Sequence, residues 1–236
     1  MITAQNGIPV LLPSLDIEAL APLDEAARLI ENADDLIFIS VNAVNFALKA
    51  FNGKMPLSKQ TRIAAIGSAT ASALNATGLA ADIVPTSTFN SEALLSLPLY
   101  SEMNGRCVVI IKGQGGRDLL FRGLSERGAQ VSEVAVYRRV VPQSDPQPVL
   151  DMLAQRQLDA ATATSEEALA NLLAILGDTG SKALQSLPLA TISPRLQQCA
   201  AQWGFSRAVA ANLPSDEAIV DTLNQLLNEE TSGRSN

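Results

Sequence analysis

Five short segments crowd hydroxyls and glycines into places where a strand would hand over to a helix. They are Ser40-Val41-Asn42, Gly67-Ser68-Ala69-Thr70, Lys112-Gly113-Gln114-Gly115-Gly116-Arg117, Thr164-Ser165-Glu166 and Ser193-Pro194-Arg195. Ser and Thr cap helices and Gly permits tight turns, so local structure explains any one of them. Together they offer amides and hydroxyls along one sheet edge, where ligands of open α/β sheets bind. Helix starts hold small anions through roughly half a positive charge, whatever the side-chain balance. A further candidate is Tyr137, one of two tyrosines, followed by Arg138 and Arg139. Phenols ordinarily titrate near pH 10, so at neutral pH this group can donate a proton to a leaving oxygen. The structural reading is an amphipathic residue that packs its ring and leaves its hydroxyl in water. The two arginines then either steer a carboxylate or solvate a β ribbon.

Composition removes several other chemistries. There is no histidine, and the two cysteines, Cys107 in a strand-like run and Cys199 in a helix-like run, match no metal spacing. Zinc sites, Ser-His-Asp triads and Cys-His dyads are therefore set aside, and the cysteines read as two buried thiols. In the Gly113 to Arg117 loop the third glycine of a dinucleotide fingerprint would fall at Asp118, and no Gly-Lys-Ser/Thr follows. A net charge of −7 argues against a protein built to coat nucleic acid. No apolar stretch approaches the roughly 18 residues of a membrane span, and no basic-then-apolar signal follows Met1, so the expectation is a cytoplasmic protein without membrane contact. No heptad or large apolar face demands a partner, which makes a monomer the default.

The elements that must position these loops occur twice. Ser40 and Ala43, behind Leu36 to Ile39, recur as Ser165 and Ala168 behind Ala160 to Thr164, an offset of 125 residues. Ile66 to Ala69 answers to Ile192 to Arg195, Gly78 to Gly204, and Glu92 to Leu95 to Glu217 to Val220, with a drift of one residue. Short apolar runs predict strands at 36–39, 63–66, 83–84, 108–111, 160–163, 189–192 and 208–209. Three-to-four spacing predicts helices over 42–50, 69–77, 91–97, 117–127, 166–176, 194–203 and 216–227, with Ser165 and Ser215 as N-caps. The alternation specifies an α/β chain of two similar domains, parallel sheets flanked by helices and a cleft between them.

Two stretches break the alternation, Val10 to Leu20 and Val131 to Pro142. They flank the first copy, as outgoing and returning linkers of an inserted domain would, and they can pair as a two-stranded ribbon. The expected domains are 1–20 plus 140–236, and 21–139 including the return linker. The tail from Asn228 reads as polar and frayed. Gly128 to Val131 resembles Gly7 to Val10, yet Val108 stands twenty residues before Gly128 and only six residues precede Gly7. The expectation is that an opening strand and most of its helix are absent from the discontinuous domain.

At these residues the chain resembles the uroporphyrinogen-III synthase family, which closes linear hydroxymethylbilane to uroporphyrinogen III while inverting ring D. The matching segments are Phe38 to Val44, Ile66 to Ala71, Gly113 to Leu120 with Gly128, Val136 to Arg139, and Thr164 to Ala168. The resemblance spans nearly the whole chain and rests on the order and spacing of the motifs together. It implies two α/β domains on a two-stranded linker, a tetrapyrrole with eight carboxylates in the cleft, and no cofactor or metal. It further implies a lyase in which loss of hydroxyl gives a pyrrole-stabilised cation, closure gives a spiro intermediate, and fragmentation with reclosure inverts the ring. The enzyme's share is folding the chain and aiding water loss. By the same resemblance Tyr137 is catalytic, helping the hydroxyl leave, and Ser40, Asn42, Ser68, Thr70, Gly113 and Ser165 contact substrate. A transient contact with the preceding pathway enzyme is implied as well.

Two departures stand out. Ser193-Pro194-Arg195-Leu196 replaces a Gly-Pro-Thr-Thr type loop, which exchanges a hydroxyl contact for a guanidinium at Arg195. No strand ending in Thr-Arg-Pro precedes Gly7. The competing readings are a non-catalytic two-domain binder of an anion or tetrapyrrole, and an inactive, truncated synthase-like domain.

Overall fold

The apolar run Leu36-Ile37-Phe38 is buried on both faces, as a central strand of a parallel sheet must be. The computed structural model, which describes residues 1–21, 24–58, 60–86 and 90–233, divides into two compact units. Unit 1 comprises Met1–Asp16 and Val141–Asn236, and unit 2 comprises Ile17–Val140.

Unit 2 runs β1 (Asp16–Ala19), α1 (Asp24–Glu31), β2 (Asp35–Phe38), α2 (Val41–Ala50), β3 (Arg62–Ala65), α3 (Ser68–Ala76), α4 (Ser91–Leu95), β4 (Cys107–Gly113), α5 (Leu119–Ser125) and β5 (Gln130–Val140). Its sheet has the order β1-β5-β4-β2-β3, and β5, β4, β2 and β3 run parallel. Alternate strand residues feed two cores. Phe38, Ile63, Val109, Ile111 and Val134 meet α1, α2 and α3 on one face, while Ile37, Ala64, Val108 and Ile110 meet α4 and α5 on the other. The two stretches expected to pair as a ribbon do lie side by side, as β1 and β5, where the Leu20 amide donates to the Val136 carbonyl and Arg138 pairs with Glu18 at 2.8 Å.

Unit 1 runs α6 (Gln147–Ala154), β6 (Ala161–Ala163), α7 (Glu166–Gln185), β7 (Leu189–Thr191), α8 (Pro194–Gln202), β8 (Ala208–Ala210) and α9 (Asp216–Gly233). Its strands form a parallel sheet β6-β7-β8. Residues before β1 belong here because Ser14 is tied to α7: its hydroxyl donates to the Ala168 carbonyl, and its own carbonyl accepts from Asn171.

Several sequence expectations change. The 83–84 strand reduces to a single bridge from Ile83 to Ala64. The helix of 166–176 stops where expected, at Gly177, whose φ of 65° and ψ of −176° are non-helical and freely adopted by glycine, and a second helical segment then runs across this kink to Gln185 within α7. Helices α1 and α6 lie where no helix was expected. Neither cysteine is buried. Cys107 opens β4 at the sheet margin and Cys199 sits on α8, both partly exposed. Of the tail expected to fray, α9 takes residues through Gly233, and 234–236 lie outside the described residues.

Candidate functional site

Parallel strands aim their carboxyl ends one way, so each unit gathers its strand-to-helix loops on a single edge. In unit 2, neighbouring strands β5, β4, β2 and β3 deliver Tyr137, Gly113, Ser40 and Ser68 in that order. Ser40 caps α2: its Oγ accepts from the Ala43 amide at 3.0 Å. Gly67 precedes α3 without a side-chain cap, which leaves the first amides of that helix to other acceptors.

Tyr137 reaches this edge through an irregularity in β5. Lys112 is opposite Ala135, but Gly113 is opposite Tyr137, so Val136 is an extra residue. Strict alternation would send Tyr137 to the face opposite Val136; the bulge puts Val134, Val136 and Tyr137 on the same core. The ring then lies flat on Gly113, where a Cβ would stand 2.5 Å from Cε2, so only glycine admits the tyrosine there. Phe46 of α2 packs on the ring at 5.4 Å between centroids. The phenol oxygen lies 3.3 Å from Ser40 Oγ. Tyr137 is only 4% exposed, so its ring packs in the core, and its hydroxyl meets the Ser40 hydroxyl.

The structure therefore brings together three of the expected residues, Tyr137, Ser40 and Gly113. Asn42 follows Ser40 on the first turn of α2 and is half-buried, Ser68 is exposed at the start of α3, and Thr70 is 3% exposed, turned into the protein. In unit 1, Ser165 caps α7 and Ser193 caps α8, accepting from the Ala168 and Leu196 amides at 3.1 and 3.3 Å. Arg195 pairs with Glu166 at 3.3 Å, and both side chains are exposed. At the start of α9, the Glu217 carboxyl is held below its ordinary value by hydrogen bonds from its own amide and from Ser215. Among the described residues no group of His, Cys, Asp and Glu could hold a metal.

Phe46 and the Val136 bulge were missed by sequence reasoning. Their signal was there: Phe46 follows Ser40 by six residues on a helix, and Val134-Ala135-Val136-Tyr137 places two large residues in succession at the end of an alternating run. A groove of about 530 Å3 lies away from this edge, against the opening residues Cys107 and Gln130 of β4 and β5 with Arg28 of α1 and Asn32 just after it. It holds none of the expected site residues.

A family model described as uroporphyrinogen-III synthase HemD matches residues 1–221. A uroporphyrinogen-III synthase of Salmonella typhimurium is 31% identical over 205 residues, 85% of this chain and 82% of that protein. A putative uroporphyrinogen-III synthase of Methanothermobacter thermautotrophicus is 30% identical over 194 residues, 79% of this chain and 76% of that protein. The crystal structure of uroporphyrinogen-III synthetase from Helicobacter pylori shares the fold, with a TM-score of 0.62, 15% identity, and coverage of 90% of this chain and 91% of that one.

Proposed function

Because the chain belongs to the uroporphyrinogen-III synthase family, we propose that it converts hydroxymethylbilane to uroporphyrinogen III, a dehydrating cyclisation that inverts ring D. The observation that carries this reading is the placement of the Tyr137 phenol on Ser40 at the sheet edge where α2 and α3 begin. Helix starts and hydroxyls suit a polycarboxylate even on a chain of net charge −7, because backbone amides, not side-chain cations, meet the anions. Ser165 and Arg195 are proposed as further substrate contacts, and the exposed pairing of Arg195 with Glu166 is one that a carboxylate can replace at small cost.

In this proposal Tyr137 gives its proton to the departing hydroxyl, water leaves, and the pyrrole nitrogen stabilises the cation. Spiro closure, fragmentation and reclosure follow from the substrate's own electronics. The protein folds the linear tetrapyrrole so that the substituted carbon, not the free one, meets the cation. A cytoplasmic monomer acting on the free tetrapyrrole is part of the same reading.

Tyr137→Phe keeps the ring on Gly113 and Phe46 and removes the proton. Turnover of hydroxymethylbilane should fall about tenfold to a hundredfold, or about 1.4 to 2.7 kcal/mol in the barrier. Unchanged turnover would remove Tyr137 from the reaction.

A further inference from the structure

We infer that Ser40 is a positioning residue for Tyr137, donating its hydroxyl hydrogen to the phenol oxygen so that the phenol's own proton is free for the leaving group. This rests on the synthase reading and goes beyond it, since Ser40 was expected to bind substrate. The geometry carries the inference. Ser40 Oγ already accepts from the Ala43 amide at 3.0 Å, which commits a lone pair to the helix cap and leaves its hydrogen to be placed. Tyr137 Oη, 3.3 Å away, is within reach of it. Gly113 beneath the ring and Phe46 beside it keep the phenol from swinging off the serine.

The proton balance then closes. As the C–O bond breaks, the phenol proton passes to the departing oxygen and water leaves. The phenolate left behind accepts from Ser40, at the positive end of α2. When the closed ring regains aromaticity, the carbon-bound proton it sheds returns to the phenolate, and the serine never leaves its cap. Ser165, the repeat partner of Ser40, makes the same cap at 3.1 Å, and unit 1 contains no tyrosine.

The test has two arms. In the first, Ser40→Ala, Tyr137→Phe and the double variant are compared for kcat and KM with hydroxymethylbilane. Ser40→Ala should lower kcat about tenfold with KM within about twofold, consistent with a group acting on the transition state. The same change in the Tyr137→Phe background should cost less than about twofold, because its partner is already gone. Ser40→Thr, which keeps both the cap and the hydroxyl, should restore kcat.

The second arm needs no turnover. Tyr100→Phe leaves Tyr137 as the single tyrosine, so its ionisation can be followed by phenolate absorbance. Adding Ser40→Ala should move that titration to higher pH, because the phenolate loses its donor; Ser40→Thr should leave it in place. Thermal unfolding of each variant separates loss of the α2 cap from loss of the hydrogen bond. Additive losses in kcat, or a titration unmoved by Ser40→Ala, would overturn the inference. If the titration shifts while no variant turns over substrate, the Ser40 to Tyr137 bond stands and the synthase reading fails.

Discussion

The two units repeat one pattern and finish it differently. In unit 2, β2 lies between β4 and β3, and every one of its four residues is buried. In unit 1, β6 pairs only with β7, and its middle residue Thr162 is exposed where its repeat partner Ile37 is 0% exposed. Unit 1 has a groove of about 380 Å3 bordered by Thr162, Thr164, Ile219, Val220, Leu223 and, near the start of the chain, Met1, Ile2, Thr3 and Pro9. The corresponding cores differ to match. Ile37, Leu94, Tyr100, Met103, Ile110 and Leu124 close one face of unit 2, whereas Ala190, Ala211, Ala218, Ile219 and Leu226 close that of unit 1. The cap at Ser40 and the cap at Ser165 are alike, but only the first has a strand on each side of the one that carries it.

The largest effect on this contrast should come from Asp35. It is fully buried at the start of β2, accepts from the Arg62 Nε and terminal nitrogens at 2.7 and 2.8 Å, and accepts from Arg106 at 2.9 Å. The Asp35 partnership raises the Arg62 guanidinium's affinity for its proton. The repeat partner in unit 1 is Ala160. Asp35→Ala should therefore destabilise unit 2 by about 3 to 5 kcal/mol, leaving two half-buried guanidinium groups without their carboxylate. Urea unfolding followed by amide exchange should place the loss in Ile17–Val140, with unit 1 little changed.

A paired exchange at the strand centres gives a smaller effect and sharpens the comparison. Ile37→Thr should cost about 2 to 4 kcal/mol, through the cavity and a hydroxyl set in an apolar core. Thr162→Ile, the reverse change in unit 1, should fall within about 0.5 kcal/mol because the site is exposed. Equal effects at the two positions would mean that β6 is covered as β2 is.

The smallest effect is tied to pH. The Tyr100 hydroxyl is buried with no hydrogen-bond partner among the described residues, and burial, followed by the nearby Asp35 carboxylate, pushes its ionisation up. An unfolded tyrosine ionises near pH 10 while the buried one stays neutral, so the unfolded state binds fewer protons above that point. Stability contributed by Tyr100 is thus whole below about pH 10 and is lost as pH rises beyond it. Tyr100→Phe should change stability at neutral pH by less than about 1 kcal/mol, since no hydrogen bond is broken. It should also flatten the alkaline limb of unit 2 unfolding. A loss of several kcal/mol at neutral pH would show a partner for that hydroxyl.

Much of this was legible in the residues because it is periodic. The offset of 125 residues located Ser40 and Ser165; Ser165 caps its helix as read, and Ser40 makes the same cap on α2. The alternation of apolar runs and amphipathic stretches gave the parallel sheets. What stayed hidden depends on single residues working against a local rule. No helix was read over 147–154, yet proline fits a helix's first turn, where its missing N–H has no partner, and α6 begins beside Pro146 and Pro148. The end of the 166–176 helix was legible, but the second helical segment that follows the Gly177 kink to Gln185 was not. Tyr137 was picked out for its chemistry while its environment was not, because a one-residue bulge decides its face, and no periodic pattern encodes where alternation fails.

The most direct measurement is the isomer produced. Hydroxymethylbilane is generated in situ, this chain is added, and the type I and type III products are resolved chromatographically. The account predicts type III in excess, with Tyr137→Phe returning the mixture toward type I as turnover slows. Type I alone, the spontaneous product, would contradict it and leave a two-unit binder in place of an enzyme.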